Sequence, residues 1–207
     1  MHRILLVSHD PAMFNSLCLV LKKDDSTNST LEEVKKSDQV LSKIIENTYD
    51  LLILDLLLPH TDILGFIGKI KGKRPDLPII TYSHILEYAF IRRYLTSGIN
   101  SYCFLNKNNC DEIVHAVNMV MSGKLYISPA MVELIVKDAL FGKKPDRFDT
   151  LNTREFDVLT HLVKGESLAG IAEIFNVHTT TIVLYKSRIM DKLRITNLLE
   201  LGNLVKM

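Results

Sequence analysis

Two groups of residues in this chain are of types and spacings that could do chemistry. The first lies where apolar runs end: Ser8-His9-Asp10 follows Ile4-Leu5-Leu6-Val7, and Asp55 closes Leu51-Leu52-Ile53-Leu54. Tyr82-Ser83 and Asn106-Lys107 stand after two later runs. A histidine close to a carboxylate titrates near neutrality and could sense pH by gaining charge beside Asp55. Hydrolysis by a Ser8-His9 pair is disfavoured, because adjacent residues at a strand end point apart and no third group orients them. The second group is Thr179 to Arg194, which combines hydroxyls, exposed-type cations and apolar residues at helical spacing.

The elements that must hold these groups can be read from periodicity. Ile4–Val7, Asp50–Asp55, Leu77–Tyr82 and Ser101–Leu105 read as strands, with a weaker strand near Thr30 to Val34. The run from Asp50 to Asp55 is apolar between two acids, as in a central strand buried on both faces. Helical patterns separate them: Pro11 to Leu21, Asp38 to Asn47, Ile63 to Lys71, Glu87 to Ser97 and Cys110 to Ser122. Five βα units predict an α/β, doubly wound (βα)5 flavodoxin-like domain over residues 1–124, with its ligand site at the carboxyl ends of the strands. Those ends carry the first group.

A further helix, Pro129 to Leu140, and the charged, Gly- and Pro-broken run from Gly142 to Arg147 make residues 125–148 a linker with a helix. Residues 149–207 carry only helical periodicities, at Arg154 to Lys164, Leu168 to Phe175, Thr179 to Leu193 and Asn197 to Lys206, which predicts a small all-α four-helix domain. Within it, Leu168 to Phe175, a turn at Asn176-Val177 and the longer helix from Thr179 form a helix-turn-helix pattern. With Ile182, Ile189 and Leu193 facing inward, the DNA-contacting set is Thr180, Thr181, Val183, Leu184, Lys186, Ser187, Arg188 and Lys192. Lys186, Arg188, Lys192 and Arg194 would lie near phosphates.

Composition narrows the alternatives. The chain has 207 residues, 25 Lys+Arg against 24 Asp+Glu, 47% hydrophobic and 24% charged residues, an ordinary globular mixture that excludes a disordered tail or a fibre. Any attraction to nucleic acid must therefore be local. Residues 186–207 supply it, with basic residues at 186, 188, 192, 194 and 206 against acids at 191 and 200. Three cysteines without a C-x-x-C pair predict a reducing cytosol and neither a disulfide framework nor a zinc knuckle. No apolar stretch reaches the ~20 residues of a membrane span, so the expected location is cytoplasmic, with no membrane partner.

The segment from Leu151 to Leu193, beginning L-N-T-R-E-F-D-V-L-T-H-L-V-K-G, resembles the LuxR/NarL-type DNA-binding domain throughout. Thr181, Lys186, Arg188 and Lys192 keep that pattern. Val183 stands where the family usually has a polar or basic residue, and Arg194 where it has glycine. Residues 1–124 resemble a response-regulator receiver: an acid ends the central strand, Pro59 follows four residues later, a hydroxyl residue follows the fourth strand and a lysine the fifth.

The resemblance implies that Asp55 is the phosphoacceptor, that Ser83 and Lys107 contact phosphoryl oxygens, and that Tyr102 reorients. Thr81 is the alternative hydroxyl, because the spacing from Ser83 to Lys107 is about two residues longer than in the family. The departure follows the first strand, where family members read Asp-Asp-His-Pro and this chain reads Ser8-His9-Asp10-Pro11. The acid pair that holds Mg²⁺ is replaced, and a hydroxyl and an imidazole are poor ligands for that hard cation. Asp10 could serve only with a shift of one residue. Alternatively, Asp55 is retained as a cap or structural acid.

A protonated His9 or Lys107 paired with Asp55 would then mimic the active state without phosphate. The expected function is that of a sequence-specific transcriptional regulator, not an enzyme, binding double-stranded DNA as a homodimer. A sensor histidine kinase and RNA polymerase are the further partners the family implies. The competing reading is a ligand- or pH-sensing pseudo-receiver, for which no Gly-rich phosphate loop is present.

Overall fold

The computed structural model describes residues 2–23, 29–84, 88–105, 110–141 and 147–205. Strands β1 (His2–Val7), β2 (Ser29–Val34), β3 (Leu51–Asp55), β4 (Ile79–Ser83), β5 (Ser101–Phe104) and β6 (Tyr126–Ile127) form one sheet in the order β2-β1-β3-β4-β5-β6. Every pairing is parallel. The intervening helices are α1 (Pro11–Lys23), α2 (Ser37–Glu46), α3 (Ile63–Lys73), α4 (Tyr88–Thr96) and α5 (Asp111–Met121). All five residues of β3 are buried, because parallel strands carry crossover helices on both faces and the central strand meets both.

Alternation sorts the core into two layers. Ile4, Leu6, Ile53, Ile80 and Cys103 point toward α1 and α5, against Leu17, Ile113 and Val117. Leu5, Leu52, Leu54, Ile79 and Tyr102 point the other way, against Val40, Ile44, Phe66 and Ile67 of α2 and α3. The second layer continues without a break into the carboxyl-terminal domain through Phe148, Leu151 and Phe156.

Periodicity predicts five strands, and the described residues form six. Strand β6 pairs Ser101 with Tyr126 and Tyr102 with Ile127, after a turn at Gly123 with φ 78°. Two residues are too few to register as a period-two pattern, so β6 falls inside the stretch expected to be linker. Helix α6 (Pro129–Phe141) follows.

The carboxyl-terminal domain opens on a 3-10 turn, Arg147–Thr150, and continues with α7 (Thr153–Val163), α8 (Leu168–Phe175), α9 (Thr179–Leu193) and α10 (Leu198–Val205). Asn152 and Glu155 form a capping box: Glu155 N–H donates to Asn152 Oδ1 at 2.9 Å, and Asn152 N–H to Glu155 Oε2 at 2.8 Å. Ser167 Oγ caps α8 by accepting from Gly170 N–H at 3.1 Å. Asn176, left-handed at φ 50°, ends α8 and turns the chain, so that α8 and α9 meet at 109°.

Arg194 ends α9 at φ 54°. Glycine enters that region freely and arginine does so at a cost of about 1 kcal/mol, a price this chain carries where the resembling family keeps glycine. Among the described residues, no single helix is long and apolar enough to cross a membrane.

Candidate functional site

At the carboxyl edge of the sheet, Asp55 ends β3 and is 5% exposed. Its Oδ1 accepts the Leu57 N–H at 2.7 Å, and its Oδ2 lies 3.4 Å from His9 Nδ1. Burial pushes this carboxyl above the usual carboxylate range, against the opposing pull of the Leu57 N–H and of His9. Ser8 is wholly buried, and its Oγ accepts from the Tyr82 hydroxyl at 2.8 Å and from Asp10 N–H at 3.1 Å. Tyr82 faces Asp55 across the β3–β4 register, and its phenol is pushed well up by burial and then by the Asp55 charge. Asp10 Oδ1 accepts from Ala12 N–H at 2.9 Å, in the first turn of α1.

A cavity of about 290 Å³ opens among His9, Asp10, Met13, Asp55, Tyr82 and His84. His84 is oriented by its Nδ1, 2.7 Å from the Leu105 carbonyl. These residues fit Mg²⁺ poorly. Asp10 is engaged in capping, Ser8 is turned inward to Tyr82, and His9 presents nitrogen to a cation that wants near-octahedral oxygen. Among the described residues, no group of three His, Cys, Asp or Glu side chains could hold a metal ion. The cavity therefore supplies one buried carboxylate with imidazoles at its rim.

Ser83 and Tyr102 lie on the opposite face of the sheet. Tyr102 is wholly buried and bonded to Ser83, with its phenol pushed up by burial. Thr81, the alternative hydroxyl, donates to the Ser101 carbonyl at 2.9 Å within the buried sheet, which leaves Ser83 as the hydroxyl at the strand end. Lys107 lies outside the described residues. The structure thus brings His9, Asp10 and Asp55 to one cavity and Ser83 and Tyr102 to a second, smaller one, lined also by Leu57, Tyr94, Thr160 and Lys164.

Two participants, His84 and Lys164, have no signal in the sequence, and Tyr82 has one only for its strand end. Tyr82 was seen only as a residue beside Ser83; its place opposite Asp55 follows from register, which periodicity leaves free by a residue or two. His84 carried no spacing signal. Lys164 comes from the second domain: its Nζ donates to the Leu58 carbonyl at 3.0 Å, and burial lowers its pKa to about 8. Beside it, Glu166 Oε1 accepts from His60 N–H at 3.0 Å and Glu166 Oε2 lies 2.8 Å from His161 Nδ1. The loop after β3 is thus held by the second domain.

On α9, Ile182, Ile189 and Leu193 are fully buried, and Thr180, Val183, Leu184, Ser187 and Arg188 form the outward face. Thr181 and Lys186 are half-buried at its margins. Lys192 is committed inside the domain, donating to Glu155 Oε2 at 2.6 Å and to the Thr150 carbonyl at 3.1 Å. This pair holds the Glu155 carboxyl below the usual range against the opposing effect of burial. Arg188 and Lys186 flank the outward face from opposite sides at 100° per residue.

Comparison with known proteins bears on both sites. Residues 4–118 match the family model of the response regulator receiver domain, and residues 149–205 match that of the bacterial regulatory proteins, luxR family. The Fimbriae Z protein of Escherichia coli K12 is 27% identical over 99% of this chain and 96% of its own length. The BvgA positive transcription regulator of Bordetella pertussis, so described putatively, is 26% identical over 99% of this chain and 97% of its own. Among solved structures, RcsB from Salmonella enterica serovar Typhimurium, bound to promoter rprA with the phosphomimetic BeF3-, superposes with a TM-score of 0.76 at 20% identity. That superposition covers 100% of this chain and 98% of RcsB, a likeness of fold. With a receiver model matched over more than half its length and a luxR-family model over residues 149–205, the chain belongs to the response regulators that carry a LuxR-type DNA-binding domain.

Proposed function

We propose that this response regulator, a transcription regulator by family, binds double-stranded DNA through α9 as a homodimer and is controlled without Mg²⁺-dependent phosphorylation of Asp55. One observation carries the second half of that reading: the positions after β1 that would hold metal are a buried serine bonded to Tyr82 and an imidazole 3.4 Å from Asp55, while Asp10 caps α1. Phosphoryl transfer relies on a cation to neutralise developing charge, and this pocket offers it too few oxygens.

The outward face of α9 supports DNA binding, since it presents hydroxyls and apolar groups flanked by cations while the domain core closes behind it. Two copies reading half-sites about one helical turn apart gain affinity through effective concentration. A cytoplasmic location, where the DNA is, and RNA polymerase as the machinery acted upon complete the proposal.

Incubation with a small acyl phosphate, with and without Mg²⁺, followed by a phosphate-affinity gel, tests this reading. The expected result is no shifted band that differs between wild type and Asp55→Asn. A band requiring both Asp55 and Mg²⁺ would overturn it and place a sensor histidine kinase upstream.

A further inference from the structure

The outward face of α9 has an unusual centre. Val183 is 47% exposed and Leu184 59% exposed, although the inward face is already closed by Ile182, Ile189 and Leu193, each at 0%. The domain core therefore has no use for Val183 or Leu184. At 100° per residue they lie on either side of the line through Thr180 and Ser187, at the middle of the exposed surface. Arg188 borders one side and Lys186 the other.

The border decides the occupant. Arg188 and Lys186 on the two flanks complement a groove walled by phosphates, whereas the hydroxyls of Thr180 and Ser187, between Val183 and Leu184, interrupt the continuous apolar stripe that a helix of another protein would need. Resting on the reading that α9 enters the major groove, we propose that Val183 and Leu184 read thymine methyl groups, so that the preferred half-site carries thymines at the positions these two residues face.

The chemistry of the groove makes the choice. Its floor presents acceptors on guanine, a donor on cytosine, and an acceptor and a donor on adenine; thymine alone adds a methyl group. Valine and leucine have neither donor nor acceptor. Pressed against guanine O6 or cytosine N4 they would strip water from a polar atom and give nothing back, a penalty that favours thymine by exclusion as well as by contact. Thr180 and Ser187 can donate or accept, so they tolerate any neighbouring base. Asp191, one turn beyond Ser187 on the same face, repels phosphate and confines close approach to the amino-terminal half of α9.

The test uses the full chain and a duplex selected from a random pool. In the selected duplex each thymine is replaced in turn by deoxyuridine, which removes only the methyl. Wild type is expected to lose about fourfold in affinity per contacted methyl, the value of one buried methyl-sized group. Val183→Ala and Leu184→Ala should each make one thymine position indifferent to the replacement. Both side chains are exposed, so neither change disturbs the core. Equal affinity of wild type for thymine and deoxyuridine duplexes would overturn the inference and leave DNA binding intact. So would a loss that persists unchanged in both variants. A pool that enriches no duplex would overturn the DNA-binding reading together with this one.

Discussion

Replacing Asp157 with asparagine should stabilise the protein above neutral pH and remove part of its pH dependence. Asp157 lies on α7, 8% exposed, at the face that meets the first domain. Burial raises its pKa from 3.8 to about 7, helped by the charge of Asp62 on the facing domain and opposed by Arg154 and then Arg93. Asp62 is itself fixed, because its Oδ1 accepts from Gly65 N–H at 3.0 Å as the cap of α3.

A carboxyl whose folded pKa lies above its unfolded value binds more protons in the folded state between the two. Stability from this group is therefore fully present below about pH 4 and is lost as pH rises through about 7. At 1.36 kcal/mol per pH unit, the gain between pH 8 and pH 5 is about 2.5 kcal/mol. Asparagine keeps the shape and carries no charge, so urea unfolding at pH 8 should find Asp157→Asn more stable than wild type by about 1–3 kcal/mol, with the difference narrowing toward pH 5. Asp62→Asn keeps the cap of α3, because asparagine caps as well as aspartate, and should reduce the wild-type slope by removing the facing charge. A variant at 157 that keeps the full wild-type slope, or is less stable at pH 8, would refute the reasoning.

The other expectations concern single contacts. Lys192→Ala leaves the Glu155 carboxylate, 2% exposed on its side chain, with the Asn152 N–H but without its cation, and should cost about 2 kcal/mol in urea unfolding; a neutral result would mean that Glu155 finds another cation or water. Arg93 donates to the Leu151 carbonyl at 2.6 Å and lies 4.1 Å over the Phe156 ring, so Arg93→Ala should cost about 2 kcal/mol. The variant's small-angle scattering should also show a larger radius of gyration; an unchanged radius would mean these contacts do not hold the domains together. Lys186→Ala and Arg188→Ala should each weaken DNA binding across sequences and flatten its salt dependence by about one counterion, whereas unchanged slopes would remove them from the phosphate backbone.

Most of the scaffold was legible because its signals are redundant. The apolar run closing at Asp55 reads as a strand buried on both faces, and the helices expected from Pro11, Leu168 and Thr179 begin there in the structure. The helix-turn-helix was legible in even greater detail, since Ile182, Ile189 and Leu193 fix which side of α9 faces in and so which side faces out. The pocket was legible only in part. Periodicity placed His9, Asp10 and Asp55 at one edge, but which of Tyr82 and Ser83 shares a face with Asp55 depends on a single residue of register. Asp10 was expected to serve the metal only with a shift of one residue; its contact with Ala12 N–H is a backbone matter that side-chain type does not announce. Lys192 has the charge and spacing of a phosphate ligand, and only the fold reveals the buried Glu155 that holds it.

The contacts that no local pattern could reveal are those between the domains, and besides those of α4 with residues 148–156 one set meets the segment just after Asp55. Lys164 donates to Leu58 and Glu166 accepts from His60, while Leu57 N–H binds Asp55 itself. Three successive attachments therefore tie the buried carboxylate to a lysine and a glutamate of the second domain. Because those attachments use backbone groups, they depend on the path of the loop and not on its side chains. Separation of the domains leaves the Leu58 carbonyl and the His60 N–H to water. The edge of the sheet and the helix-turn-helix domain thus share one loop, whose backbone bonds Asp55 at one end and Lys164 and Glu166 at the other.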